Sequence, residues 1–118
     1  MNTLICQEGR KTQLFVAVRR IKLKPGAVDE YVRRVETGAI PQMREMDGFR
    51  SFQVMKEDDG TVISFSIFDT QAMAEQSTLL LLPWIKENLA PLLDQMPEAV
   101  DGELIVNEVY RPASNFNC

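Results

Sequence analysis

Three segments of this chain alternate as strands do, yet carry apolar residues on both of their faces. In residues 13–21, Leu14, Val16 and Val18 share one face, and Phe15, Ala17, Arg19 and Ile21 share the other. Residues 49–56 set Phe52 and Val54 against Phe49 and Met55, and residues 61–68 set Ile63, Phe65 and Ile67 against Val62 and Phe68. A sheet made of such strands must be covered on both sides. The chain is therefore limited to layered folds, and what does the covering becomes the central question.

Between the first two strands, Leu23-Lys24-Pro25-Gly26 reads as a turn leading into a helix. Val28, Tyr31, Val32, Val35, Ala39, Met43 and Met46 follow at steps of three and four, a stripe down one helix face, with Asp29, Glu30, Arg33, Arg34 and Glu36 on the other side. Pro41 lies inside this stripe and removes one backbone donor, so a kink is expected near residues 38–41, and Gly48 ends the element. Residues 57–60, Glu-Asp-Asp-Gly, read as a hairpin connection rather than a metal site; Asp59-Gly60 predicts a type I′ turn with positive φ at both positions. Asp69 or Thr70 caps a second helix over 71–82, with Ala72, Met73, Gln76, Leu79 and Leu80 expected on its inner face. Pro83 suits the first position of a short third helix whose apolar side carries Trp84, Ile85, Leu89 and Leu92. Asp101-Gly102 then precedes a last strand over 103–110. Residues 1–12 read as an N-terminal arm, 13–110 as a single domain and 111–118 as a polar C-terminal tail.

The order is β-α-β-β-α-(α)-β, the split βαβ arrangement of an α+β protein with a four-stranded antiparallel sheet. Helices cover only one face of such a sheet. The other face would stand in water as a large apolar patch, which soluble proteins rarely tolerate. A second copy packed sheet against sheet would cover it, so the pattern predicts a symmetric homodimer.

Charge and composition narrow the partners. The net charge of −4, from 13 basic and 17 acidic residues, argues against a nucleic-acid module, which needs a basic stripe to replace phosphate counterions. No apolar run is long enough to cross a membrane, and residues 1–10 lack the apolar core of a secretion signal, so a cytoplasmic protein is expected. Cys6 and Cys118 stand alone near the two ends and suggest neither a chelate nor a redox pair. The chain has no histidine, which removes the usual base at neutral pH and the usual zinc or iron ligand. No metal and no cofactor are expected.

Leu23-Lys24-Pro25-Gly26 with Glu30-Tyr31, Asp47-Gly48-Phe49, and Phe65-Ser66-Ile67-Phe68-Asp69 with Ala72 resemble, in order and spacing, the dimeric α/β-barrel superfamily of ferredoxin-like domains. The nearest likeness is to the antibiotic-biosynthesis-type monooxygenase domain. Residues 84–92 and 102–106 are similar to a pattern in its uncharacterised bacterial members, and the resemblance spans about residues 13–109. It implies the fold, a dimer, and a pocket between the sheet and its own helices. It also implies a range of activities, among them cofactor-free oxidation of polycyclic phenols and haem degradation. The haem-degrading members use an asparagine, a tryptophan and a histidine where this chain has Arg19, a position near Gln76, and one near Lys86, so that mechanism is not expected.

Five residues are candidates for the implied pocket. Arg19 shares a strand face with Phe15, Ala17 and Ile21; it is either an anion partner in the pocket or an edge arginine paired with an acid. Tyr31 is a core residue or a proton relay, and its hydroxyl needs a partner if buried. Trp84 and Asn88, one turn apart on one helix face, would position a ring, or else serve as a packing anchor and a helix-end cap. Gln76 is a polar residue expected on an inner face. The expected function is cofactor-independent oxidation of a small aromatic or quinone-like compound; the alternative is a non-catalytic homodimeric module that binds a small hydrophobic ligand.

Overall fold

The computed structural model describes residues 13–110; the expected arm and tail, with Cys6 and Cys118, lie outside them. Strand β1 (Phe15–Lys22) leads to helix α1 (Val28–Arg34), a π-helical turn (Val35–Ala39) and helix α2 (Ile40–Arg44). Strands β2 (Phe49–Asp58) and β3 (Thr61–Phe68), helix α3 (Gln71–Asn88), a 3-10 turn (Ala90–Leu92) and strand β4 (Glu98–Glu103) follow. The strands form one four-stranded sheet in the order β2-β3-β1-β4, with every pair antiparallel. This is the expected ferredoxin-like α+β fold.

Local chemistry explains the junctions. Gly26 adopts φ +79 and the Ala27 amide donates to the Lys24 carbonyl at 3.1 Å, so Pro25 and Gly26 occupy the two central positions of a type II turn. The kink expected near Pro41 is a π turn, in which the Ile40 amide reaches back five residues to the Val35 carbonyl. Thr70 caps α3, its hydroxyl oxygen accepting from the Met73 amide at 3.1 Å.

The core lies between the helices and one sheet face. Tyr31, Val35, Ala39 and Met43 meet Ile21, Leu23 and Val62, all buried. Cross-strand pairing places Ile21 beside Val62, Arg19 beside Ser64 and Val54 beside Ser64 on this same face. The opposite face carries Val16, Val18, Ile63, Phe65 and Ile67, with Met55 and Val100 largely exposed at its sides. No element of the chain among the described residues covers that second face.

Four expectations are corrected. A bulge between Phe49 and Ser51 brings Phe49 to the side of Phe52, rather than opposite it as strict alternation requires. The hairpin forms at Asp59-Gly60, but neither residue has positive φ, so the turn is not type I′. The Asp58 carboxylate instead accepts from the Gly60 amide at 3.1 Å, a local bond that also holds Asp58 below the usual carboxylate range. Pro83 does not start a third helix. It lies inside α3, with both Pro83 and Leu79 on the exposed side, where water can take the carbonyl that proline leaves without a donor. The last strand is Glu98–Glu103, not 103–110; Ile105, Val106, Val109 and Tyr110 lie beyond it, 64–86% exposed.

The phase of α3 also differs from expectation. Ala74 and Ser77 are buried and Met73, Leu81, Trp84 and Asn88 half-buried, while Ala72, Gln76, Leu79 and Leu80 face out. Small residues at 74 and 77 let the helix backbone settle closely on the sheet, which larger leucines would prevent.

Candidate functional site

A cleft of about 290 Å³ opens between the first helical segment and β2. Its wall on the helix side is built from Tyr31, Val35 and Glu36, and on the strand side from Phe52, Val54 and Lys56. The helical stripe puts Tyr31 and Val35 one turn apart on one face, while alternation along β2 turns Phe52, Val54 and Lys56 to the same side of the sheet. The volume lies near the low end of the range for small-molecule sites, about 300–1,000 Å³, and the lining is mostly apolar with a few polar groups, as such sites are.

Tyr31 is 1% exposed, and its hydroxyl has no hydrogen-bond partner among the described residues. Burial alone pushes its phenol up to about 12, so it is a neutral donor at any physiological pH and a poor base. Glu36 and Lys56 are exposed where the cleft meets solvent. Neither belongs to an ion pair among the described residues.

The other candidates lie elsewhere. Arg19 is on the helix-facing side of β1, but its guanidinium is paired with the Asp101 carboxylate on β4, and one of its nitrogens donates to the Val18 carbonyl at 2.9 Å. It is not part of the cleft wall. Trp84 packs over Gly38 of the π turn, where a Cβ would sit 2.5 Å from the indole. The Asn88 side-chain amide donates to the Trp84 carbonyl at 3.1 Å, and the Asn88 carbonyl accepts from Arg34 at 2.7 Å. Glu30, held down to about 2 by Arg33 first and Arg34 second, orients that arginine. Asn88 thus closes the end of α3 and ties it to α1. Gln76, expected inward, is exposed, because α3 turns its 74–77 face to the core.

Glu36 and Lys56 were not among the sequence candidates. Lys56 was recoverable from alternation: it continues the Phe52–Val54 face by one step, a charge at the end of an apolar row.

Among the described residues no helix is long and apolar enough to cross a membrane. The chain is similar over 88% of its length to the whole of a protein of unknown function from Nitrosomonas europaea, with 22% identity and a TM-score of 0.73. It is similar over 82% of its length to Rv0793 from Mycobacterium tuberculosis, of which it covers 99%, with 17% identity and a TM-score of 0.65. It also resembles a monooxygenase from the gene ActVA-Orf6 of Streptomyces coelicolor, solved with the ligand Nanaomycin D. That likeness covers 84% of this chain and 94% of the other, with 20% identity and a TM-score of 0.61. At these identities the likeness establishes the fold. No curated protein matches the sequence. The sequence pattern of the antibiotic biosynthesis monooxygenase family matches residues 14–78, more than half of the chain, and with the ferredoxin-like fold around it this chain belongs to that family.

Proposed function

We propose that this protein is a homodimer that binds a small aromatic compound in the cleft beside Tyr31 and oxidises it without a cofactor. The observation that carries this reading is the cleft itself: an apolar space with a buried, unpartnered hydroxyl in its wall. Such a donor is costly until an acceptor fills the space, and a ring carbonyl or developing oxyanion is the acceptor it fits. The similar Streptomyces coelicolor monooxygenase, solved with Nanaomycin D, fits the same reading.

In the reaction, a ring methylene flanked by aryl carbonyl or phenol groups loses a proton, with Glu36 the carboxylate at hand to take it. The carbanion gives its electrons to dioxygen, a C–O bond forms, and loss of the second hydrogen with O–O cleavage leaves a ketone and one water. Dioxygen is the oxidant and the substrate is the reductant. Tyr31 donates to the oxyanion as charge develops, and the apolar wall excludes water. Arg19, paired with Asp101, holds β1 to β4 in this reading rather than serving as the anion partner.

A second reading is a ligand-binding module without catalysis. It is favoured by the single carboxylate in the cleft and by the high phenol pKa of Tyr31. Anthrone supplied to purified protein separates the two. Uptake of one dioxygen per anthraquinone formed, with no added flavin, haem or metal and above the rate in buffer, supports the oxidase. Saturable binding with no uptake above buffer supports the module.

A further inference from the structure

The cleft is not uniformly apolar, and its polar groups are separated in a way that orients a ligand. Tyr31 places a buried hydroxyl in the wall, whereas Lys56 and Glu36 stand exposed at the edge. Lys56 is the only cation in the lining and has no acidic partner among the described residues. In a chain of net charge −4, most of the arginines on this domain are already paired: Arg19 with Asp101, Arg20 with Glu57, Arg33 and Arg34 with Glu30, and Arg50 with Asp69. Lys56 differs from them in standing beside an open apolar space with its charge uncommitted.

We propose that the cleft selects a monoanionic aromatic ketone or quinone, its carbonyl oxygen accepting from Tyr31 and its acid group held by Lys56 at the mouth. This rests on the reading of the cleft as the ligand site and adds the class of ligand. The apolar wall of Val35, Phe52 and Val54 takes the ring. A compact ammonium on a flexible stem suits a carboxylate or phenolate whose exact position varies between ligands. Glu36 on the same rim limits the ligand to one negative group, since a second would face its carboxylate. Two anchors at different depths, one neutral and one charged, fix which end of the ring system enters first.

The test uses three probes on the full chain. 9-Fluorenone-2-carboxylate has both groups, 9-fluorenone-2-carboxamide lacks the charge, and fluorene-2-carboxylate lacks the ketone. By calorimetry at low salt, wild type should bind the acid about fivefold more tightly than the amide, a preference that shrinks with added salt. It should also prefer the ketone acid to fluorene-2-carboxylate by about fivefold to tenfold. Lys56→Met should erase the first preference and keep the second; Tyr31→Phe should do the reverse. Equal affinity for acid and amide on wild type overturns the assignment of Lys56 while the cleft stands as a ligand site. Equal affinity for the two acids overturns the role of Tyr31. If none of the three binds, the cleft itself is not the site and the inference fails with it. The wild-type comparisons decide the matter even if a variant does not fold.

Discussion

The indole of Trp84 fills the space that a side chain at Gly38 would need: a Cβ there would sit 2.5 Å from both Cζ2 and Nε1. This one approach holds α3 against the π turn. Gly38→Ala should therefore destabilise the fold by about 1–3 kcal/mol, even though alanine favours helix by roughly 1 kcal/mol. In a Trp84→Leu background the same change should cost little, because the obstructing ring is gone. Denaturant unfolding of the four proteins of this cycle measures the coupling. A Gly38→Ala variant as stable as wild type would show that the ring can move aside.

Tyr31 makes the fold sensitive to alkali. Its folded value of about 12 lies above the ordinary 10, so the folded chain keeps the phenol proton where the unfolded chain has lost it. This contribution is fully present below pH 10 and is lost as pH rises toward 12, by up to about 2–3 kcal/mol. Tyr31→Phe should flatten stability across that window. An unchanged slope would mean that the phenol is not buried as described.

The uncovered sheet face predicts what a single charge would do there. Phe65 pairs with Val18 at its centre, and Arg20, bound to Glu57 at 2.9 Å, stands at its rim. Wild type should sediment at about twice its 13.4 kDa chain mass, and Phe65→Glu should sediment as a single chain. A wild-type monomer would remove the reason for two-sided strands.

Arg19→Leu tests whether the pair with Asp101 is structural. Both side chains are partly exposed, so the loss should be within about 1 kcal/mol, and Asp101→Asn should behave alike. Affinity for 9-fluorenone-2-carboxylate should not change. A large loss of affinity with normal stability would return Arg19 to the site.

Strand and helix positions were legible where one physical signal dominated. The Thr61–Phe68 strand is found where alternation puts it, and the Pro25-Gly26 turn has the conformation that only glycine takes easily. The phase of α3 was not legible. Met73, Ala74, Leu79, Leu80, Leu81 and Leu82 surround that helix almost evenly, so a 3.6-residue period selects no face, and the close fit of Ala74 and Ser77 decides it instead. Residues 103–110 read as a strand from their β-branched content, yet the pairing with β1 is taken by Glu98–Glu103, a stretch with weaker propensity. Of the site, Tyr31 was visible as an aromatic on the inner stripe. Lys56 and Glu36 were not, because their proximity depends on how a helix sits over a strand some twenty residues away in sequence.

The buried residues Tyr31, Val35, Ala39 and Met43 are spaced by a strict four, which an ordinary α-helix cannot keep on one line. At 3.6 residues per turn each step of four overshoots by about 40°, so three steps would carry Met43 about 120° away from Tyr31. The wider π turn at Val35–Ala39 winds the chain back by the missing angle. The helix thus carries one residue more than regular winding would hold. Deleting Thr37 would let the segment relax to a continuous α-helix, but everything after the deletion would rotate, and Met43 would leave the core it now plugs. In this stretch, length is a phase setting: substitutions are absorbed locally, whereas a gain or loss of one residue is felt as a rotation of the whole next turn.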